Sequence, residues 1–253
     1  MKQSRMLMNL FIVMVFMVSA CSPAPKETTV PTNPPEPKPS TSSPLPIPTE
    51  TLEPTITSSP TIEPTSESVE MEKLVQKLFE EKTIFSSEGT YHRMSDFSES
   101  WAQLYYYQWW YTDFSPSNFI IQADLEWESA SKTPNLSDSG CGFVYHTEDA
   151  QNHHATFLMM DGKVQTYRTV KNAWTSLKAG SAGKFKVPAD KAHMVLVVDK
   201  QWLTVIVNDK QVVHFQDTKL QGGKVGYTLA SGTNKGFGTR CTMKNIELWE
   251  LPE

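Results

Sequence analysis

Phe119, Ile121, Ala123, Leu125 and Trp127 are separated by Ile120, Gln122, Asp124 and Glu126. A period of two is the spacing of a half-buried strand, because successive side chains point to opposite faces. Further short segments of strand type follow at residues 140–146, 154–161, 163–170, 194–198, 202–207, 211–216, 224–229 and 237–251. Turn residues punctuate them. Asp161-Gly162 is a strong two-residue hairpin signal, and Asn208-Asp209-Lys210 turns a second pair. The last segment is expected to bend near Asn245. No helical pattern of ten residues interrupts this series, so the fold class is all-β: two antiparallel sheets packed as a sandwich.

The sandwich cannot occupy the whole chain of 253 residues. Residues 22–68 hold 13 of the 17 prolines, 18 Ser or Thr, and no aromatic residue. Such a stretch buries too little apolar surface to offset the entropy of ordering it, so a disordered, extended Pro/Ser/Thr linker is expected there. Val69, Met71, Leu74, Val75, Leu78 and Phe79 then form a 3.6-residue stripe. They predict a short helix over 69–84 that packs on the domain, with Ser66 or Ser68 able to cap it.

The amino terminus has an address of its own. Lys2 and Arg5 precede an unbroken apolar run at residues 10–18, followed by Ser19, Ala20 and Cys21. A positive end, a short apolar core and small residues make a secretory signal peptide; the run falls short of the ~20 residues that span a bilayer. Val18-Ser19-Ala20-Cys21 resembles the lipobox of bacterial lipoproteins. That resemblance implies cleavage after Ala20, a diacylglycerol on Cys21, and a protein held at the outer face of the bacterial cell membrane through its lipid anchor. Removing residues 1–20 takes away two of the 23 basic residues and none of the 28 acidic ones. No polybasic patch assists the acyl chains. The expected organisation is therefore a signal peptide at 1–20, a lipidated Cys21 with its stalk over 21–68, a helix at 69–84 and the sandwich at 85–253.

A second resemblance covers roughly residues 95–253. Asp96-Phe97-Ser98, the strand around Phe119-Ile120-Ile121, Cys141-Gly142-Phe143-Val144-Tyr145, Glu148-Asp149-Ala150-Gln151-Asn152, the hairpin ending Val207-Asn208-Asp209-Lys210, Gly223-Lys224-Val225-Gly226 and Ile246-Glu247-Leu248-Trp249 follow one another. This order is similar to that of the concanavalin A-like jelly roll of laminin G-type domains and of bacterial 3-keto-disaccharide hydrolase-type domains. The resemblance implies a jelly roll. The aromatic block from Tyr105 to Tyr111 departs from its pattern.

Cys141 and Cys241 remain once Cys21 is assigned to lipid. In an exported protein an even pair predicts a disulfide, the alternative being two buried free thiols. Asp124, Glu126 and Glu128 share one face of a strand, ~6.7 Å apart, a separation that suits glycoside hydrolysis. The spacing resembles the acidic strand of some glucanases with this fold, whose strand begins with Glu where this chain has Gln122. No catalytic residue is assigned. His153 and His154 are adjacent on a strand and point to opposite faces, so no metal site is assigned with His146. No cofactor motif occurs. With 28 acidic against 23 basic residues and no basic cluster denser than Lys184-Phe185-Lys186, nucleic acid is excluded as a partner.

Ten aromatic residues lie between Phe97 and Phe119, including Trp101, Trp109 and Trp110. Most are expected in the core. Rings that remain outside can stack on sugar faces while polar neighbours fix the hydroxyls. Asp124, Glu126, His146, Arg168 and Trp174 are the candidate ligand-binding residues. The expected function is a monomeric, surface-anchored, lectin-like and non-catalytic protein that binds a glycan. The alternatives are a glycoside hydrolase on the same fold and an adhesion module with a protein partner.

Overall fold

The computed structural model describes residues 66–253. The expected signal peptide, Cys21 and all but the last three residues of the expected stalk lie outside the described residues. Those three, Ser66 to Ser68, are helical. Helix α1 runs Ser66–Glu80, so Ser68 lies inside the helix rather than capping it. The helix ends before residue 84 because Lys82 turns left-handed (φ 59°). The Thr83 amide donates to Leu78 O at 2.8 Å and the Lys82 amide to Phe79 O at 3.0 Å, the two bonds of a Schellman motif.

Thirteen strands follow. They are β1 (Thr90–Arg93), β2 (Phe97–Trp101), β3 (Tyr107–Tyr111), β4 (Phe119–Ser129), β5 (Gly140–Asp149), β6 (Asn152–Met159) and β7 (Lys163–Val170). Then come β8 (Ala173–Ser181), β9 (Ala189–Asp199), β10 (Trp202–Val207), β11 (Lys210–Gln216), β12 (Lys224–Ala230) and β13 (Thr239–Glu250). The first sheet has the order β1-β13-β4-β9-β10-β11, with β2 also on β13. The second has the order β3-β12-β5-β6-β7-β8. All pairs are antiparallel, and the two sheets form a jelly-roll sandwich.

The core lies between them. Phe119, Ile121, Leu125 and Trp127 of β4 meet Phe143 and Tyr145 of β5 and Tyr227 and Leu229 of β12. Cys141 of β5 and Cys241 of β13 are joined by a disulfide, with Cα atoms 6.3 Å apart. Both are fully buried, so the bond staples one sheet to the other through the core.

Two irregularities re-aim side chains. The β13–β4 register shifts between Lys244 and Glu247, with Asn245 left-handed (φ 50°). This bulge is the expected bend. A second bulge follows Tyr145 in β5, where His146 is left-handed (φ 48°). Between Tyr145 and Asp149, β5 takes four steps where β6 takes two; the extra residues rotate the strand past them, so His146 does not point away from Tyr145 as alternation alone would have it.

The outer face of the first sheet divides in two. At one end Ile120, Val195, Val197 and Trp249 lie under Met71, Val75 and Leu78 of α1. The helix therefore packs on the sandwich, as its stripe predicted, although Phe79 remains 41% exposed. The other end carries Asp124, Glu126 and Glu128 and is open.

Candidate functional site

The second sheet presents aromatic side chains on its outer face. Tyr107, Trp109 and Tyr111 occupy alternate positions of the edge strand β3, while Trp110 between them packs on the core. Tyr105 is left-handed (φ 65°), and the Trp101 indole N–H donates to Tyr106 O at 3.1 Å, which holds the turn before β3. Across the sheet, His153 and Phe157 of β6, Tyr167 of β7 and Trp174 of β8 complete the surface.

These rings touch in sequence. Tyr107 meets Phe157 edge to face at 5.4 Å and Trp174 at 5.0 Å, and Trp174 meets Tyr167 at 5.2 Å. Trp109 lies 5.3 Å from the His153 ring. The Tyr107 hydroxyl and His153 Nε2 are hydrogen-bonded. A groove of about 330 Å³ results, within the usual range for small-ligand sites. Phe157, Met159 and Ala230 line its apolar part, Tyr105, Tyr106, Tyr107, Tyr167 and Trp174 supply further rings, and Ser137, Asp138 and Gln165 are its polar groups. Tyr105 is 85% exposed, Tyr106 63% and Trp174 52%.

The Tyr107 and Tyr167 phenols are held in their protonated form at neutral pH. Burial pushes Tyr107 up to about 12, against a lowering hydrogen bond from Thr169. Tyr167 is raised by burial and by repulsion from Asp138 and Asp161. Burial, with repulsion from His154, pushes His153 down to about 4. Neutral donors and exposed ring faces are what an uncharged polyol needs.

The structure separates the five expected ligand residues into three places. Trp174 is in the groove. Asp124 and Glu126 lie on the open face of the other sheet, across the core. Asp124 Oδ1 is 2.9 Å from His193 Nδ1, and its Oδ2 accepts from Asn245 Nδ2 at 2.8 Å. Burial raises its pKa, but these two bonds outweigh it and hold the carboxyl below its ordinary value, the wrong direction for a catalytic acid. Glu128 pairs with Arg240 at 3.3 Å.

His146 and Arg168 belong to a cluster at the end of the core. The Arg168 guanidinium is paired with Asp217, and His154 Nε2 lies 3.7 Å from the same carboxylate. His154 stacks on Tyr145 at 5.2 Å and an interplanar angle of 15°. His146 meets the His154 ring at 5.4 Å, and its Nε2 is 3.0 Å from Ser117 O. This is a buried structural network joining β5, β6, β7 and the segment after β11, so the five residues do not converge on one ligand.

The core takes fewer of the ten early aromatics than expected. Tyr105, Tyr106, Tyr107, Trp109 and Tyr111 lie on or beside the outer face of the second sheet. Their alternation, Tyr107-x-Trp109-x-Tyr111, was the signal in the sequence. Phe157, Tyr167, Asp138 and Gln165 carried no such signal, because their strands and loop reach the groove only through the pairing of the sheet.

No family model matches this chain, and no curated protein matches it. Solved structures resemble it at low identity. A carbohydrate-binding module, CBM66 from Bacillus subtilis, is 12% identical over 63% of this chain and 91% of its own, with a TM-score of 0.45. A Bacillus subtilis protein of unknown function with a galectin-like fold is 12% identical over 61% of this chain and 89% of its own, with a TM-score of 0.43. A fructosyltransferase from A. japonicus is 14% identical over 66% of this chain, which spans only 27% of the enzyme, with a TM-score of 0.44.

Proposed function

We propose that this is an exported lipoprotein, anchored through Cys21 at the outer face of a bacterial membrane, whose sandwich binds a glycan without cleaving it. The observation that carries the binding reading is the groove itself: exposed rings of Tyr105, Tyr106 and Trp174 beside the neutral hydrogen-bonding groups of Tyr167 and Gln165. The apolar face of a sugar ring stacks on an aromatic face, and a few polar groups fix its hydroxyls. Support for the anchor is the lipobox-like Val18-Ser19-Ala20-Cys21 and the Pro/Ser/Thr-rich stretch after it.

Two measurements test the proposal. Full-length protein in a non-glycosidic detergent is expected to bind a subset of a broad polysaccharide array, with binding lost when Trp174 is replaced by Ala. Absence of carbohydrate binding, or binding indifferent to that change, refutes the groove as a glycan site. Mass spectrometry of the membrane fraction is expected to find acylated Cys21 at the amino terminus; an unmodified thiol there refutes the anchor.

A further inference from the structure

Resting on the glycan reading of the groove, we infer that its ligand is an uncharged glycan chain, and that Asp138 is the residue that turns anionic polysaccharides away. Among the described residues, those lining the groove include one carboxylate and no lysine or arginine. That carboxylate is Asp138, at the end of the 3-10 turn Leu136–Asp138. Its Oδ2 accepts from the Asn135 side-chain amide at 2.5 Å, a bond to a neutral group that fixes its position. The nearby Asp161 is different: Lys163 Nζ stands 3.0 Å from it and balances it.

The walls strengthen the effect. Asp138 shares the groove with aromatic rings and Met159, and repulsion between like charges grows as the local dielectric falls. The raised pKa of Tyr167, caused in part by Asp138, is the same field felt by a group already in the groove. A sugar hydroxyl entering there finds carboxylate and amide oxygens to donate to. A uronate, sulfate or phosphate group finds a like charge and no cation among the described lining residues.

The test compares neutral polymers with derivatives that carry added negative charge. An array of neutral polysaccharides is printed, each beside its carboxymethylated derivative, and probed with the full-length protein. The expected result is binding of one or more neutral polymers, with the derivative weaker by ~10-fold or more at low salt, as Coulomb repulsion in a partly desolvated site demands. Added salt should narrow the gap. Asp138→Asn should cut the ratio of neutral to charged binding to less than ~3-fold, read at whatever neutral affinity the variant keeps, and Gln165→Glu should widen that ratio. Equal binding of both forms, or discrimination unchanged in Asp138→Asn, overturns the inference and leaves the glycan reading standing. No binding of either form of any polymer overturns the glycan reading itself.

Discussion

The rings of Tyr107 and Trp174 meet edge to face at 5.0 Å, although their strands, β3 and β8, are the two edges of a six-stranded sheet. Five strand spacings amount to ~24 Å on a flat sheet, too far for two aromatic side chains to bridge. The sheet must therefore twist and curl until its edges face each other over its outer surface. That curvature makes a groove from residues that no short-range pattern connects. On the other side the same edge closes the sandwich. A Cβ added to Gly180 of β8 would lie 2.3 Å from Val212 O of β11, so only glycine permits this approach.

Trp174→Ala is expected to weaken glycan binding at least ~10-fold, the loss of ~1.4 kcal/mol or more of stacking. Because this side chain is 52% exposed, the thermal midpoint should move by no more than a few degrees. Titration calorimetry and a melting curve on the same variant check both halves.

Breaking the Cys141–Cys241 bond should destabilise the sandwich without abolishing its topology. The bond closes a loop of 100 residues, for which chain entropy sets an upper value of ~4.7 kcal/mol. A Cys141→Ala, Cys241→Ala double variant should show a lower denaturant midpoint, and added reductant should lower the wild-type midpoint but not that of the variant.

Stability should fall on acidification in two windows. Burial, aided by repulsion from His154, pushes His146 from 6.5 down to about 4. For Asp217, burial raises the pKa, but His154, the Lys219 amide and Arg168 outweigh it and bring the group from 3.8 to about 2. Both groups bind fewer protons folded than unfolded, so their contributions are present above the unfolded values and disappear as pH falls. The first loss runs from about 6.5 to about 4, at up to ~1.4 kcal/mol per pH unit for His146; the second runs from about 4 to about 2. Urea melts across this range measure both. His153, pushed down to about 4 by burial and by repulsion from His154, adds to the same window, so His146→Asn, which tolerates the left-handed backbone, should make the upper window shallower without removing it and leave the lower one.

Helix α1 is expected to contribute through burial. Leu78 is 1% exposed beneath the helix, and Leu78→Ala should cost ~2–5 kcal/mol. Phe79→Ala on the exposed side should stay within ~0.5 kcal/mol. Equal effects of the two would mean that the helix does not hold to the sheet as described.

Much of this architecture could be read from residues in order. Strands β7 and β10 coincide with their expected limits, because each is rich in β-branched residues and is bounded on one side by a turn that Gly, Asn or Asp favours, Asp161-Gly162 before β7 and Asn208-Asp209 after β10. The β13 bend fell at Asn245 for the same reason. Strand β8 was missed. It is an edge strand exposed on most of its length, so no apolar period marks it. Strand β3 was obscured because rings occupy both of its faces, Trp110 toward the core and its neighbours outward. Ile120 was a clue left unread: an apolar residue in the polar phase of β4 is there because α1 covers it.

Sequence alone determined the sandwich, the helix stripe and the cysteine pair, since each depends on local periodicity or on residue type. Only the tertiary structure decided which rings face outward together, and that Asp124, His146 and Trp174 stand in three different places. Those outcomes depend on sheet curvature and on a bulge at His146, which arise from the packing of distant strands. A period of two says that a side chain points to one face or the other, but not what lies across that face.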